Sequence, residues 1–138
     1  MDAPPLTFVD ASGWIALVNR RDALHKKAAQ IYQQRLRQGG QFVTSSVVLL
    51  EVGNWLSPVA TRRMARALLD RIEQSARIEV VHITDDLNEQ GWQLYRSRAD
   101  KEWGVIDCIS FILMRERGIG EALTGDHHFE QAGFIKLL

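Results

Sequence analysis

The chain has 138 residues, 17 Lys plus Arg against 17 Asp plus Glu, a formal net charge of zero, and 46% hydrophobic residues. Length and apolar content suit one folded domain with its own core, spanning 1–138. The charge balance excludes a histone-like basic protein, an acidic solvating tail and a charge-driven disordered segment.

The N-terminal Met1-Asp2-Ala3-Pro4-Pro5 lacks the basic and long apolar regions of a signal peptide. Apolar runs suited to strands then alternate with stretches of helical period. Leu6-Thr7-Phe8-Val9 reads as a first buried strand, with a short helix after a capping Ser12. Over 22–38, Leu24, Ala28, Ile31 and Leu36 form an amphipathic stripe that Gly39-Gly40 ends. A second strand over 41–44 leads to Ser45 or Ser46 as cap of a helix over 47–56, apolar nearly all round and so expected to be central. A helix over 61–75 follows, with Ala65, Leu68, Leu69 and Ile72 on one side, and then a strand over 77–83. Thr84 or Asp85 starts a helix with the stripe Leu87, Gly91, Leu94 and Tyr95; a last apolar helix spans 106–117 and closes at Gly118. Strands over 121–124 and 134–138 complete the chain. No apolar run approaches the roughly 18 residues that span a membrane. The one cysteine, Cys108, allows neither an intrachain disulfide nor a cysteine-based zinc site, and reads as a small buried residue in a reducing cytoplasm.

Such alternation predicts an α/β domain, a mostly parallel sheet covered by helices, with ligands at the carboxyl ends of the strands. Four acids map to that end. Asp10 closes the first strand, Glu51 interrupts the apolar run 47–52, Asp107 interrupts 105–109, and Asp126 follows the strand 121–124 after Gly125. An unpaired buried carboxylate costs several kcal/mol, so such groups are protonated, hydrogen-bonded or bound to a cation. Taken singly, Asp10 and Asp107 are equally readable as helix caps, Asp126 as part of a Gly-Asp turn, and Glu51 as the partner of a buried Arg. Taken together they form a hard oxygen site suited to Mg2+ or Mn2+, the chemistry of metal-assisted phosphodiester hydrolysis.

The same residues resemble the PIN-domain ribonucleases, in particular the VapC-type toxins of toxin–antitoxin pairs. The matching stretches are Phe8-Val9-Asp10-Ala11-Ser12, Thr44-Ser45-Ser46 leading to Glu51, and Asp107-Cys108-Ile109-Ser110-Phe111. The last continues through Glu121-Ala122-Leu123-Thr124-Gly125-Asp126-His127-His128-Phe129 to Gly133-Phe134. The resemblance implies a three-layer α/β/α PIN-like fold and a metal-dependent endoribonuclease. Asp10, Glu51, Asp107 and Asp126 would be its catalytic, metal-holding acids, with Ser12 and Thr124 as supporting hydroxyls. It further implies an RNA substrate cut to 5′-phosphate and 3′-hydroxyl ends, a homodimer, a cognate antitoxin and a cytoplasmic location. The chain departs from the family in one run. Relatives often carry Trp-Ser-Leu-Thr-Asp-Cys where this chain has Trp103-Gly104-Val105-Ile106-Asp107-Cys108, without the two hydroxyls. The alternative function is therefore a catalytically impaired PIN domain that binds RNA or protein.

Two basic clusters, Arg62, Arg63 and Arg66, and Arg96, Arg98 and Lys101, read either as RNA-phosphate contacts or as solvated helix faces. Among the tryptophans, Trp103 is the expected base-stacking residue, while Trp14 and Trp55 are expected in the core or a dimer contact. His127 and His128 read as surface turn residues, and Asp85, Asp86 and Asp100 as caps and surface charges. Two other acidic α/β classes fit less well. A haloacid-dehalogenase phosphatase needs an acid where Ser12 stands, and a receiver domain needs a lysine earlier than Lys136.

Overall fold

A computed structural model describes residues 3–138; Met1 and Asp2, part of the segment read above for a signal peptide, lie outside the described residues. In chain order the elements are β1 (Leu6–Val9), α1 (Ala11–Val18), α2 (His25–Arg37), β2 (Gln41–Ser45), α3 (Ser46–Trp55), α4 (Val59–Gln74), β3 (Ile78–Val81), α5 (Asp85–Ser97), α6 (Val105–Arg117), β4 (Glu121–Leu123), α7 (His128–Gln131) and β5 (Ile135–Lys136). Local chemistry sets their ends. Ser45 Oγ accepts the Val48 N–H at the start of α3, and Thr84 Oγ1 accepts the Leu87 N–H at the start of α5. Gly118 ends α6 in the left-handed conformation, at φ 65°.

The strands pair in the order β3-β2-β1-β4-β5, and every pairing is parallel. Parallel neighbours require crossovers, and right-handed crossovers send the first two connections and the last two to opposite faces of the sheet. Helix α1 packs against α2, α3 and α4, while α6 packs against α5 and α7, which gives the three layers. The direction of chain progress reverses between β1 and β4. In open α/β sheets that reversal opens a crevice at the strand carboxyl ends.

The core runs through both layers, with Phe8, Trp14, Phe42, Phe111 and Phe129 fully buried, as is Cys108. Trp14 Nε1 donates to Thr44 Oγ1 (3.0 Å), which donates to the Val9 carbonyl (2.9 Å), so one buried polar chain joins α1, β2 and β1. At Gly13 any Cβ would run into the Leu123 carbonyl, so α1 rests directly on the end of β4.

Three expectations change. Helix α3 is not central: Val48 and Val52 are buried, but Leu50 and Trp55 are each 68% exposed, because only one of its faces meets the sheet. Ser12 does not cap α1. Asp10 occupies the N-cap position and Ser12 lies one residue inside the helix. Tyr95 of the α5 stripe is exposed. No helix among the described residues is long and apolar enough to cross a membrane.

Candidate active site

The crevice between β1 and β4 holds the acids. Asp10 leaves the end of β1 and is only 5% exposed. Thr124, just past β4, donates to Asp10 Oδ2 at 3.1 Å. Thr124 Oγ1 also lies 3.0 Å from Ser12 Oγ and accepts the Asp126 N–H at 3.1 Å, while Ser12 Oγ accepts the Gly125 N–H at 3.0 Å. The two hydroxyls thus bind the start of α1 to the loop that carries Asp126.

Asp107 stands in the first turn of α6, and its Oδ2 accepts the Gly104 N–H at 3.0 Å. Asp126 Oδ1 accepts the His128 N–H at 2.9 Å, closing a turn two residues long. The His128 ring then bridges the two acids. Its Nδ1 lies 3.3 Å from Asp107 Oδ2 and 3.2 Å from Asp126 Oδ1. A pattern follows: each Asp has one oxygen engaged by protein donors, Oδ2 in Asp10 and Asp107 and Oδ1 in Asp126, and one oxygen left over. The leftover oxygen of Asp10, Oδ1, is the sole buried side-chain N or O atom without a partner among the described residues.

Glu51, half-buried on α3, belongs to the same cluster. Burial pushes its carboxyl upward, Asp107 and Asp126 push it further, and the Trp55 indole N–H, one helical turn on, acts in the opposite direction. Asp107 is also raised, first by burial and then by Asp126, against the pull of the Gly104 N–H and His128. Asp10 is pushed up to about 7. Burial is the main cause, Asp107 and Glu51 add to it, and the Ala11 N–H and Thr124 pull back. Four mutually repelling acids, one of them with a buried oxygen that no protein group satisfies, fit a bound hard cation.

The readings of single acids as ordinary structural residues are partly realised. Asp107 does cap α6, and Asp126 does sit in a turn, but with one oxygen each. Asp10 makes no side-chain cap bond, and no Lys or Arg pairs with Glu51 among the described residues. His128 is a correction to the sequence reading. It is no surface turn residue, because the turn at Asp126 folds it back between two acids; His127 beside it is the exposed one. The Asp-x-His spacing after the last acid was the available signal.

Trp103 is a second correction. It is 5% exposed, set edge-on against Phe111 at 5.0 Å, and its Nε1 donates to Gln131 Oε1 at 3.0 Å. Phe111 of α6, Gln131 of α7 and the guanidinium of Arg98 together take the ring and its N–H from solvent, so it has no ring free for a base. Arg98 lies over that ring at 4.9 Å and pairs with Asp100 at 3.0 Å, and Lys101 lies 3.7 Å from the same acid. Arg96, Arg98 and Lys101 line one open cleft beside Gly104, near the start of α6. Arg62, Arg63 and Arg66 are exposed on the first turns of α4.

A model of the PIN domain matches residues 7–135. The chain is also 34% identical over 132 residues, 96% of its length and 98% of the relative's, to the 23S rRNA-specific endonuclease VapC20 of Mycobacterium tuberculosis. It belongs to the PIN-domain family. The PIN domain superposes on the crystal structure of VapC20, described as a sarcin–ricin loop cleaving toxin, with a TM-score of 0.84 over 94% of this chain and 96% of that one. It shares its fold with VapBC2 from Rickettsia felis, bound to a promoter DNA fragment (TM-score 0.69, 14% identical, 94% and 96% covered). FitAcB from Neisseria gonorrhoeae has the fold as well (TM-score 0.64, 13% identical, 95% and 94% covered). The five-stranded parallel sheet between helical layers is the PIN-like α/β/α architecture.

Proposed function

We propose that this PIN domain is a divalent-metal-dependent endoribonuclease and the toxin of a toxin–antitoxin pair. One observation carries the reading: the acids at the β1/β4 crevice keep unengaged oxygens, and that of Asp10 is buried without any partner. Asp10, Glu51, Asp107 and Asp126 would hold Mg2+ or Mn2+. When bound, such an ion supplies Lewis acidity toward a phosphate and a more acidic water.

The protein's own groups then do the positioning. Thr124 fixes Asp10 Oδ2, the Gly104 N–H fixes Asp107 Oδ2, and His128 holds Asp107 and Asp126 at a set separation. Ser12 anchors the Gly125 loop so that Asp126 stays at the end of β4. The burial of Asp10 keeps bulk water from its carboxylate and strengthens every electrostatic contact there. Arg62, Arg63, Arg66 and Arg96 offer a cationic surround for an RNA backbone that the four acids alone would repel. The similarity to VapC20 makes a 23S rRNA sarcin–ricin stem–loop the first substrate to test. The proposed toxin role brings with it a cognate antitoxin, a homodimer and a cytoplasmic site of action as further parts of the proposal.

The test is cleavage of that stem–loop and of total RNA by purified protein with MgCl2 or MnCl2. Wild type should cut in a metal-dependent way, and Asp10→Asn and Asp107→Asn should abolish cutting with the fold intact. Undiminished metal-dependent cleavage by either variant sinks the assignment. RNA retained but never cut would favour an impaired, RNA-binding PIN domain, as the missing hydroxyls at Gly104 and Ile106 allow.

A further inference from the structure

Asp126 has two imidazoles beside it, and only that of His128 bridges the acids. One ligand atom from each of Asp126, His127 and His128 lies within 4.8 Å of the other two, the one such group of three among the described residues. His128 Nδ1 is 3.2 Å and His127 Nδ1 is 3.8 Å from the same atom, Asp126 Oδ1. The longer distance is beyond hydrogen-bond reach, so no shared proton joins His127 to the acid. Nitrogen and oxygen ligands of a tetrahedral zinc ion stand about 3.3–3.5 Å from one another. The two observed separations bracket that value.

The backbone that carries the group is fixed. Phe129 is fully buried, its N–H donates to the Asp126 carbonyl at 3.2 Å, and the His128 N–H donates to Asp126 Oδ1 at 2.9 Å. The two imidazole rings lie 4.4 Å apart, and that of His127 is exposed, so an ion reaches the group from solvent. The ligand chemistry differs from that of the four acids. Carboxylates alone suit Mg2+, whereas two imidazoles with one carboxylate suit Zn2+ and its d-block neighbours.

We propose that Asp126, His127 and His128 form a second cation site, selective for Zn2+ over Mg2+, whose occupation inhibits cleavage. The inhibitory part rests on the endoribonuclease reading; the site itself does not. A cation on His128 Nδ1 takes the atom that reaches Asp107 Oδ2 at 3.3 Å, so the bridge between the two acids is lost. It also places a second double charge on Asp126, which repels an ion held by the same carboxylate.

The experiment titrates untagged Asp10→Asn protein, which lacks one acid of the hard site, with Zn2+ in a calorimeter in excess MgCl2. One Zn2+ should bind per chain, and adding His127→Ala should weaken binding by about tenfold or more. Co2+ in place of Zn2+ should give the strong visible absorption of a four-coordinate ion, diminished by His127→Ala. In the active enzyme with Mg2+, Zn2+ should inhibit cleavage. His127→Ala should cleave as wild type does without Zn2+ and need about tenfold more Zn2+ for half inhibition. Equal Zn2+ affinity with and without His127 overturns the proposal and assigns the ion to the acids. Failure of Zn2+ to bind in excess Mg2+ overturns it as well. Zn2+ that binds through His127 yet leaves cleavage unchanged, or raises it, overturns the inhibitory role. If wild type cleaves no RNA in Mg2+, the endoribonuclease reading fails, while calorimetry still decides the site.

Discussion

The two ends of the sheet treat their acids in opposite ways. At the amino end, Glu121 of β4 meets Arg35, with Nη1 to Oε1 at 2.8 Å, and the same guanidinium reaches Thr7 Oγ1 at 3.2 Å. Glu79 of β3 meets Arg117 at the end of α6, also at 2.8 Å. At the carboxyl end four acids converge, and among the described residues no Lys or Arg pairs with any of them; the basic groups beside them are His128, between Asp107 and Asp126, and the exposed His127, 3.8 Å from Asp126. Acids at the amino end are completed by the chain itself. Those at the carboxyl end keep oxygens that the chain leaves unengaged, and on the proposed reading this separates a structural carboxylate from a functional one in a single fold.

The largest expected effect reverses the usual result of mutation. Native Asp10 keeps its proton up to about pH 7, while an unfolded aspartate loses it near 3.8. Between those values the native state binds more protons, so the metal-free protein loses stability as pH rises through that window. Asp10→Asn removes the penalty. Urea unfolding in EDTA should find this inactive variant more stable than wild type at pH 8, by up to about 4 kcal/mol, with the gap closing toward pH 4. A gap independent of pH would mean that Asp10 is not buried as a costly acid.

Next in size is His128→Ala, which frees the two acids it spans. Calorimetric titration with Mn2+ should show affinity lowered by about 10- to 100-fold, as for other partners that orient metal ligands. At the opposite end of the sheet, Glu121→Gln should lower stability by about 1 kcal/mol and leave cleavage unchanged. Loss of cleavage there would blur the distinction between the two ends. The smallest effect is at Gly104, where a Cβ meets only Asp107 Oδ2, at 3.7 Å. Gly104→Ser restores a capping hydroxyl and should add a few tenths of a kcal/mol in thermal unfolding.

Much of this was legible in the residue order. Strand and helix patterns separate cleanly because each strand here is a short apolar run and most helices carry one apolar stripe. The four acids stood out because carboxylates inside apolar runs are costly and therefore informative. Orientation was not legible. Helix α3 is apolar on nearly every side, so its composition could not say that Leu50 and Trp55 face solvent while Val48 and Val52 face the sheet. Trp103 sits in a loop by sequence, yet long-range packing by Phe111 and Gln131 removes it from solvent. His128 was misread for a related reason: its place depends on a turn made by the backbone after Asp126, which the His-His pair does not announce.

Gly13 gives the crevice its dimensions. Where α1 rests backbone against backbone on Leu123, the separation of the two strand ends is set by atoms that every residue type shares. Side chains elsewhere in the core can then be exchanged, at a cost in stability, while Asp10 and Thr124 remain in register. Wear on the hydrophobic interior and accuracy at the acidic end are in this way inherited separately, and the molecule can drift far in sequence while its working edge keeps its calibration.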